Sequence, residues 1–187
     1  MQILSTGLRT SGLVILAVTL AAFSSLANAK SATEIDAEVD ASLKLFKEKV
    51  GSADELLAKS NGVLVFPSVI KAGIGIGGEY GEGALRIGGK TADYYSTAAA
   101  SIGLQLGAQA KTVIILFLEQ AALDKFRASK GWEAGVDGSV ALIQVGAGGS
   151  IDTTNIKDPI VGFVIGQKGL MFNVTLEGSK FTKLVRE

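Results

Sequence analysis

The chain has 187 residues, of which 48% are apolar, and its 18 basic residues balance its 18 acidic residues. It contains neither Cys nor His, which excludes disulfide bonds, thiol nucleophiles, and catalysis or metal binding by histidine. Without a surplus of positive charge the chain does not attract nucleic acid through bulk electrostatics, and we expect no metal and no other cofactor.

The first 29 residues have the pattern of an export signal. Arg9 supplies a positive start, residues 11–23 are almost wholly apolar, and residues 27–29 (Ala-Asn-Ala) offer a small-residue cleavage site. An uncleaved membrane anchor is the alternative, but the apolar run is shorter than the roughly 20 residues that cross a bilayer. We therefore expect cleavage after Ala29 and an exported protein that is periplasmic or associated with the envelope.

Residues 30–61 predict two helices. Apolar residues recur at three- and four-residue spacings from Ile35 to Val50, which indicates a helix over residues 32–50 with one apolar stripe. Ser52, with Glu55 three residues later, predicts a capping box for a second short helix. We expect this helix to end at a left-handed stop formed by Asn61 and Gly62.

All but three of the 24 glycines lie at or after Gly62, where the apolar pattern changes to the two-residue period of strands. Because Gly73, Gly75 and Gly77 share one strand face, we expect backbone, a helix or a ligand to approach closely there. Residues 113–118 are continuously apolar, as expected for a strand covered on both faces. Strands are predicted over residues 63–66, 72–80, 83–87, 94–110, 112–118, 136–147, 160–167 and 170–177, a helix over 119–129, and a loop over 153–159.

These elements predict an α+β fold: a glycine-rich, strongly bent antiparallel β-sheet or partly closed barrel, covered by the N-terminal helices and one inserted helix. The chain divides into a signal peptide (1–29), a helical segment (30–61) and a glycine-rich β domain (62–187). We expect residues 30–187 to fold as one unit.

Two glycine motifs resemble nucleotide-binding loops without matching their structural context. Residues 73–78 fit the dinucleotide fingerprint but lie within a predicted strand, not at a turn into a helix. Residues 88–91 (Gly-Gly-Lys-Thr) resemble the end of a phosphate loop, yet Ala84 stands where that loop needs glycine, so we predict a hairpin turn. Glu79 and Glu82 could pair in acid/base chemistry, but we interpret them as solvated turn carboxylates, and an enzyme is our last interpretation.

The helix over residues 32–50 is a candidate membrane-binding element. Lys47 and Lys49 flank its apolar stripe, a layout in which apolar side chains enter a lipid interface while lysines reach the phosphates. A helix that faces the core is the alternative, because Asp36 and Glu38 flank the same stripe. A second candidate set of phosphate-facing cations lies near the glycine-rich turns, with scattered surface charge as its alternative: Lys71, Arg86 and Lys90.

Residues 62–85 (GVLVFPSVIKAGIGIGGEYGEGAL) resemble the signature of the SYLF family. Residues 94–96, 103–109, 131–133 and 169–180 are similar to later blocks of that family, in the same order. The resemblance implies a lipid-binding module, since eukaryotic relatives bind phosphoinositides, contact membranes through a basic amphipathic N-terminal helix, and associate with cortical actin. At the corresponding helix, which here runs from acidic to basic, it implies these lipid contacts: Leu43, Lys44, Phe46, Lys47 and Lys49.

We therefore expect a non-enzymatic, exported protein that associates with anionic phospholipid or phosphoinositide-like head groups at a membrane surface. The residues expected to make the contact are those of the helix together with Lys71, Arg86 and Lys90. The alternative is an envelope scaffold or a protein-interaction domain of the actin-binding type, in which the first helix belongs to the core.

Overall fold

A long hairpin forms the centre of the fold, in a computed structural model that describes residues 30–143, 156–166, 169–170 and 176–186. Its strands β1 (Gly62–Ile87) and β2 (Lys90–Phe117) pair antiparallel along their whole length. Between them Gly88 and Gly89 have φ angles of 57° and 78°, the positive values that a tight two-residue turn requires. The predicted hairpin turn at these glycines is confirmed.

Five short strands complete a seven-stranded sheet in the described part of the chain. They are β3 (Trp132–Glu133), β4 (Ala141–Leu142), β5 (Ile160–Gly166), β6 (Gly169–Leu170) and β7 (Lys180–Leu184). One end of β2 pairs with β5 and the other with β7. The helices are α1 (Ala32–Lys49) and α2 (Ala53–Lys59), which precede the hairpin, and α3 (Gln120–Ala128), which follows it.

The sheet is a strongly curled half-barrel, so the predicted α+β fold with a bent sheet is confirmed. One pairing differs from the antiparallel prediction, because β4 and β5 run parallel. The predicted helix over residues 119–129 is also confirmed, by α3.

Several predicted strand boundaries are wrong. The three strands predicted between residues 63 and 87 are one continuous strand, and so are the two predicted between residues 94 and 118. A strand was predicted over residues 136–147, but residues 136 and 137 belong to a turn, and β4 is all that the described residues show of this strand. Residues 144–147 lie outside the described residues. Strand β7 was not predicted, since its alternating charged residues leave only Phe181 buried.

The close approach expected at glycine occurs where β1 folds back on itself. A Cβ atom on Gly83 would lie 1.9 Å from the carbonyl oxygen of Val65, and one on Gly81 would lie 2.8 Å from that of Ser68. The surroundings of residues 73–76, where the sequence placed this approach, lie outside the described residues. Two of the three register shifts in the pairing of β1 with β2, at Phe66/Val69 and Gly73/Gly75, lie between Val65 and Gly83, so glycines and bulges together make the bend.

Folding the hairpin back produces two cores, one on each face of the sheet. Leu64 and Phe66 point to the inner core, which α3 closes with Leu123 and Phe126. The alternate residues of the same strand point to the outer core under α1 and α2. Residues 113–117 alternate in the same way and are all buried, which confirms the prediction of a strand covered on both faces.

The capping box lies at the first helix and not at the second. At the start of α1, the backbone N–H of Glu34 donates to Ser31 Oγ at 3.2 Å, while Ser31 N–H donates to Glu34 Oε2 at 3.1 Å. Ser52 makes no such bond, so the predicted box there is wrong. The predicted left-handed stop is also absent at Gly62, which is the first residue of β1 and has no positive φ.

We expect Gly83→Ala to lower the free energy of unfolding by about 3 kcal/mol or more, because its methyl group would overlap the Val65 carbonyl and force the crossing apart. Gly78→Ala is the matched control, since the nearest atom to its Cβ is 3.8 Å away. It should change stability by less than about 1 kcal/mol. Urea denaturation of both variants measures this, and equal stability of the two would contradict the close crossing.

Candidate functional site

Helix α1 lies with its apolar stripe against the outer face of the sheet. Leu43 of the stripe is partly buried, and the other four stripe residues are fully buried: Ile35, Val39, Phe46 and Val50. The Phe46 ring lies 4.8 Å from the ring of Phe163 on β5. Phe46, expected from the sequence to contact lipid, is thus a core residue, as in the core-facing alternative, because a side chain with no exposed surface reaches no membrane. No helix in the described residues is both long and apolar enough to cross a bilayer.

A polar cluster around Asp36 fixes α1 to the hairpin. Arg86 on β1 donates from Nη2 to the backbone oxygen of Asp36 at 3.2 Å and to Asp40 Oδ1 at 2.8 Å. From β2, the hydroxyl groups of Thr91 and Tyr94 donate to the Asp36 carboxylate at 2.7 and 2.9 Å. Arg86, expected from the sequence to face phosphate, therefore also has a structural role that holds the helix on the sheet.

A cavity of about 410 Å³ opens beside this cluster, between the two N-terminal helices and the hairpin turn. Its apolar wall is formed by Leu43 of α1, Leu57 of α2 and Val63 of β1. Lys47 and Arg86 lie in the same lining, next to the backbone of the glycine turn. The cavity therefore joins two sets of candidates that are far apart in the sequence, the helix residues and the cations near the turns.

The two cations in the lining differ in how firmly they are held. Lys47 Nζ pairs with Asp54 at 2.7 Å, but the side chains are 50% and 79% exposed, and such surface pairs contribute about 0–1 kcal/mol. The Arg86 side chain is only 13% exposed, and Nη2 makes all its contacts within the described residues. Its Nε is buried without an acceptor there. Lys47 can therefore change partner at little cost, and Arg86 keeps an unused donor.

The remaining predicted cations are distributed over three places. Lys90 follows the glycine turn at the cavity, and Lys44 lies one helical turn before the end of α1; both are exposed. Lys49 is exposed as well, but it lies on nearly the opposite side of the helix from Lys47, because successive helix positions are about 100° apart. Lys71 pairs with Glu79 at 3.6 Å in the middle of the hairpin and is not part of the cavity lining.

Glu79 and Glu82 are not solvated turn carboxylates, as the sequence suggested. The Glu79 side chain is 14% exposed and pairs with Lys71 and with Lys111, the latter at 2.5 Å. The Glu82 side chain is 9% exposed, and Oε1 accepts hydrogen bonds from Tyr80 and, at 2.7 Å, from Arg186. The prediction of solvated turn carboxylates is wrong for Glu79 and for Glu82 for the same reason. Both residues belong to a continuous strand, where the curled sheet and the C-terminal segment cover them.

Sequence reasoning missed several residues of the cavity. Leu57 lines the cavity, but nothing in the sequence indicated that it would face Leu43 and the hairpin turn. Asp40 also lines the cavity, and its only signal was its position one helical turn after Asp36. A sequence carries no direct signal for such a grouping, because the bend in β1 brings the parts together.

We expect Phe46→Ala to lower the free energy of unfolding by about 3–5 kcal/mol, as for other buried aromatic residues. Leu43→Ala, at the partly buried edge of the same helix, should cost less. Urea denaturation of both variants provides the measurement. If Phe46→Ala kept full stability, the core-facing orientation of α1 would be wrong.

The three tyrosines should ionise late in alkaline titration. Burial raises the pKa of Tyr94, and its hydrogen bond to Asp36 is a second cause. Burial raises the pKa of Tyr95 to about 12. The pKa of Tyr80 is also raised to about 12, by burial first and by its hydrogen bond to Glu82 second. Because unfolded tyrosine has a pKa near 10, the resulting stability is complete below about pH 10 and is lost as the pH rises towards 12. Ultraviolet absorbance should show Tyr80 and Tyr95 largely un-ionised at about pH 11 without urea, and much more tyrosinate in urea. Half-ionisation near pH 10 without urea would contradict these environments.

The comparisons with known proteins concern the second half of the chain. Residues 98–186 match the model of a family described as Ysc84, Las17-binding protein actin regulator. No curated protein matches the sequence. The matched range includes three of the blocks that carried the resemblance, residues 103–109, 131–133 and 169–180, while the signature at residues 62–85 precedes it. This is a family of binding and scaffold domains, of the actin-regulator and lipid-binding type, and not a family of enzymes. Over residues 98–186 the chain therefore matches the Ysc84 model, and this match is consistent with the SYLF family.

Proposed function

We propose that this protein binds the anionic phospholipid surface of a membrane, through the rim of the cavity between its N-terminal helices and its hairpin turn. One observation carries the proposal: partly buried leucines and exposed or weakly paired cations meet at the same opening. Leu43 and Leu57 provide shallow apolar contact, while Lys47 in the lining and Lys90, which directly follows the lining residue Gly89, reach lipid phosphates. This division between apolar body and cationic tip is typical of interfacial binding.

The charges around the rim predict weak binding that depends on salt. Each lysine near an anionic surface contributes about 1 kcal/mol, and the attraction falls off within a Debye length. Asp40 and Asp54 lie close to these cations and reduce their net attraction. The contact therefore needs several lysines acting together, and Lys44 extends the cationic rim along α1.

The family match supports the proposal independently of the geometry of the cavity. The Ysc84 match and the SYLF resemblance agree with a binding module, for which head groups of the phosphoinositide type are one ligand class. The predicted export signal favours an anionic phospholipid of the bacterial envelope as the physiological surface, with the mature protein beginning at Lys30. The matched range begins after the cavity residues, so the assignment of the rim rests on its geometry alone.

A scaffold that binds another protein is the second candidate. The description of the matched family, a Las17-binding protein and actin regulator, favours this candidate. So does the burial of the stripe of α1, which removes the aromatic side chain that would have inserted most deeply. Under this alternative the mature protein binds no vesicle of any composition.

Flotation with vesicles tests the proposal. The mature chain, Lys30 to Glu187, should float with vesicles that contain phosphatidylglycerol at low salt, not at high salt, and not with pure phosphatidylcholine. Lys47→Glu with Lys90→Glu should abolish flotation, because it replaces two rim cations by carboxylates. Lys130→Glu with Lys157→Glu is the matched control, since both lysines are exposed, neither lines the cavity, and the change in net charge is the same.

Each outcome of the flotation experiment decides between the readings. Loss of binding in the rim variant alone supports the proposed surface. Equal loss in both variants would show attraction by overall charge and overturn the assignment to the rim. Absence of flotation under every condition would overturn membrane binding and leave the scaffold. Circular dichroism of both variants confirms that they are folded.

A further inference from the structure

We infer that the cavity itself holds one anionic, single-chain amphiphile, with its carboxylate or phosphate at Lys47 and Arg86 and its alkyl chain along the apolar wall. This deepens the proposed function and rests on it, because it assigns a ligand to the interior of the same site. Attraction between a rim and a membrane surface needs no enclosed volume. Membrane attraction therefore does not explain why a cavity of about 410 Å³ lies behind the rim.

The size and composition of the cavity fit a small ligand. Its volume lies within the range of about 300–1,000 Å³ that is typical of ligand pockets, which are mostly apolar with a few convergent polar groups. Here Leu43, Leu57 and Val63 form the apolar part, and the polar groups are concentrated where α1 meets the end of β1. An alkyl chain with one charged end has the same division.

Arg86 provides the strongest indication of an anion. Its Nη2 atom is used by Asp36 and Asp40, whereas Nε is buried and has no acceptor among the described residues. A buried donor without an acceptor is costly, and the cost falls when the Arg86 side chain, which lines the cavity, turns so that a ligand oxygen meets Nε. A carboxylate or phosphate oxygen is such an acceptor, and guanidinium groups favour both.

The charges in the lining indicate a single negative charge on the ligand. Within the lining, Lys47 and Arg86 stand against one carboxylate, that of Asp40, while Asp36 pairs with Arg86 and Asp54 with Lys47 from outside the lining. Lys47 reaches the head group by leaving Asp54, which is 79% exposed and loses little when the pair opens. The carboxylates of Asp36 and Asp40 repel every anion, and they repel a ligand with several negative charges more strongly than a ligand with one. The matching ligands are a fatty acid carboxylate and a monoanionic lysophospholipid.

Titration with dodecanoate below its micelle concentration tests the inference. In an NMR experiment the backbone amides of Gly62, Gly88 and Gly89 report on the cavity, because all three residues line it. Dodecanoate should shift these signals in a saturable manner. Acetate lacks the chain and dodecylammonium has the opposite charge, so neither should shift them at the same concentrations.

Two variants locate the binding. Ala58→Trp fills the cavity from the exposed side of α2, and it should weaken dodecanoate binding at least about tenfold while flotation with anionic vesicles persists. Ala121→Trp is the matched control on an exposed position of α3 outside the lining, and it should bind as the parent does. Arg86→Lys keeps the charge beside Asp40 but removes Nε, and it should also weaken dodecanoate binding about tenfold or more.

The results separate this inference from the proposed function. Vesicle flotation without saturable dodecanoate shifts would overturn the cavity ligand and leave surface binding intact. Dodecanoate shifts without flotation would support the cavity ligand and overturn binding to the membrane surface. Equal binding of dodecylammonium, or unchanged dodecanoate binding in Ala58→Trp, would overturn the inference, because the chain would then associate elsewhere or without recognition of its charge.

Discussion

The rest of the structure depends on the place where β1 crosses itself, with Gly83 against the carbonyl oxygen of Val65. No residue with a side chain fits at that distance, because a Cβ would lie 1.9 Å from the oxygen. Once the strand has folded back, its two halves enclose the inner core, and its outer face is left for α1 and α2. One backbone contact thus explains why a single hairpin is enough to build most of a half-barrel.

The same fold-back assembles the candidate site. Val63 at the start of β1 and Arg86 near its end line one cavity, although most of the strand separates them in sequence. Helix α1 is oriented by its buried stripe, and this orientation leaves Leu43 and Lys47 at the flank nearest the hairpin turn. The ion pairs of Arg86 with Asp36 and Asp40 then secure the helix. Burial of the stripe is therefore what exposes the flank that we propose for lipid.

Local patterns in the sequence predicted those elements in which the spacing of apolar residues matches the faces that are buried. The stripe from Ile35 to Val50 identified α1, and the continuous apolar run after residue 112 identified a strand that is covered on both faces. In β1 the glycines predicted breaks that the structure does not have, because glycines mark bends within one strand as readily as breaks between strands. Strand β7 was missed since Lys180 and Lys183 dilute its apolar signal, and only pairing with Tyr94–Ala98 of β2 shows its role.

The site was predictable only in fragments for a related reason. Cations on a helix flank and cations near a turn look alike whether or not they meet, so nothing in the sequence distinguished Arg86, which joins Lys47, from Lys71, which pairs with Glu79. Their difference depends on the three-dimensional path of β1 between them. Likewise, Phe46 has the spacing of a residue that inserts into lipid and of a residue that fills a core, and its contact with Phe163 decides between them.

The matched family range and the candidate site are physically inseparable although they occupy different parts of the chain. Residues 98–186 contain most of β2 but none of β1, the strand with which β2 pairs from end to end. They also contain Val161, Phe163 and Ile165 of β5, whose outer faces are covered by α1. Without residues 32–87 these apolar side chains and one edge of β2 would face water. The helices and β1 are thus needed to complete the domain that the family match identifies, and any ligand that tightens the cavity between them also stabilises the matched half.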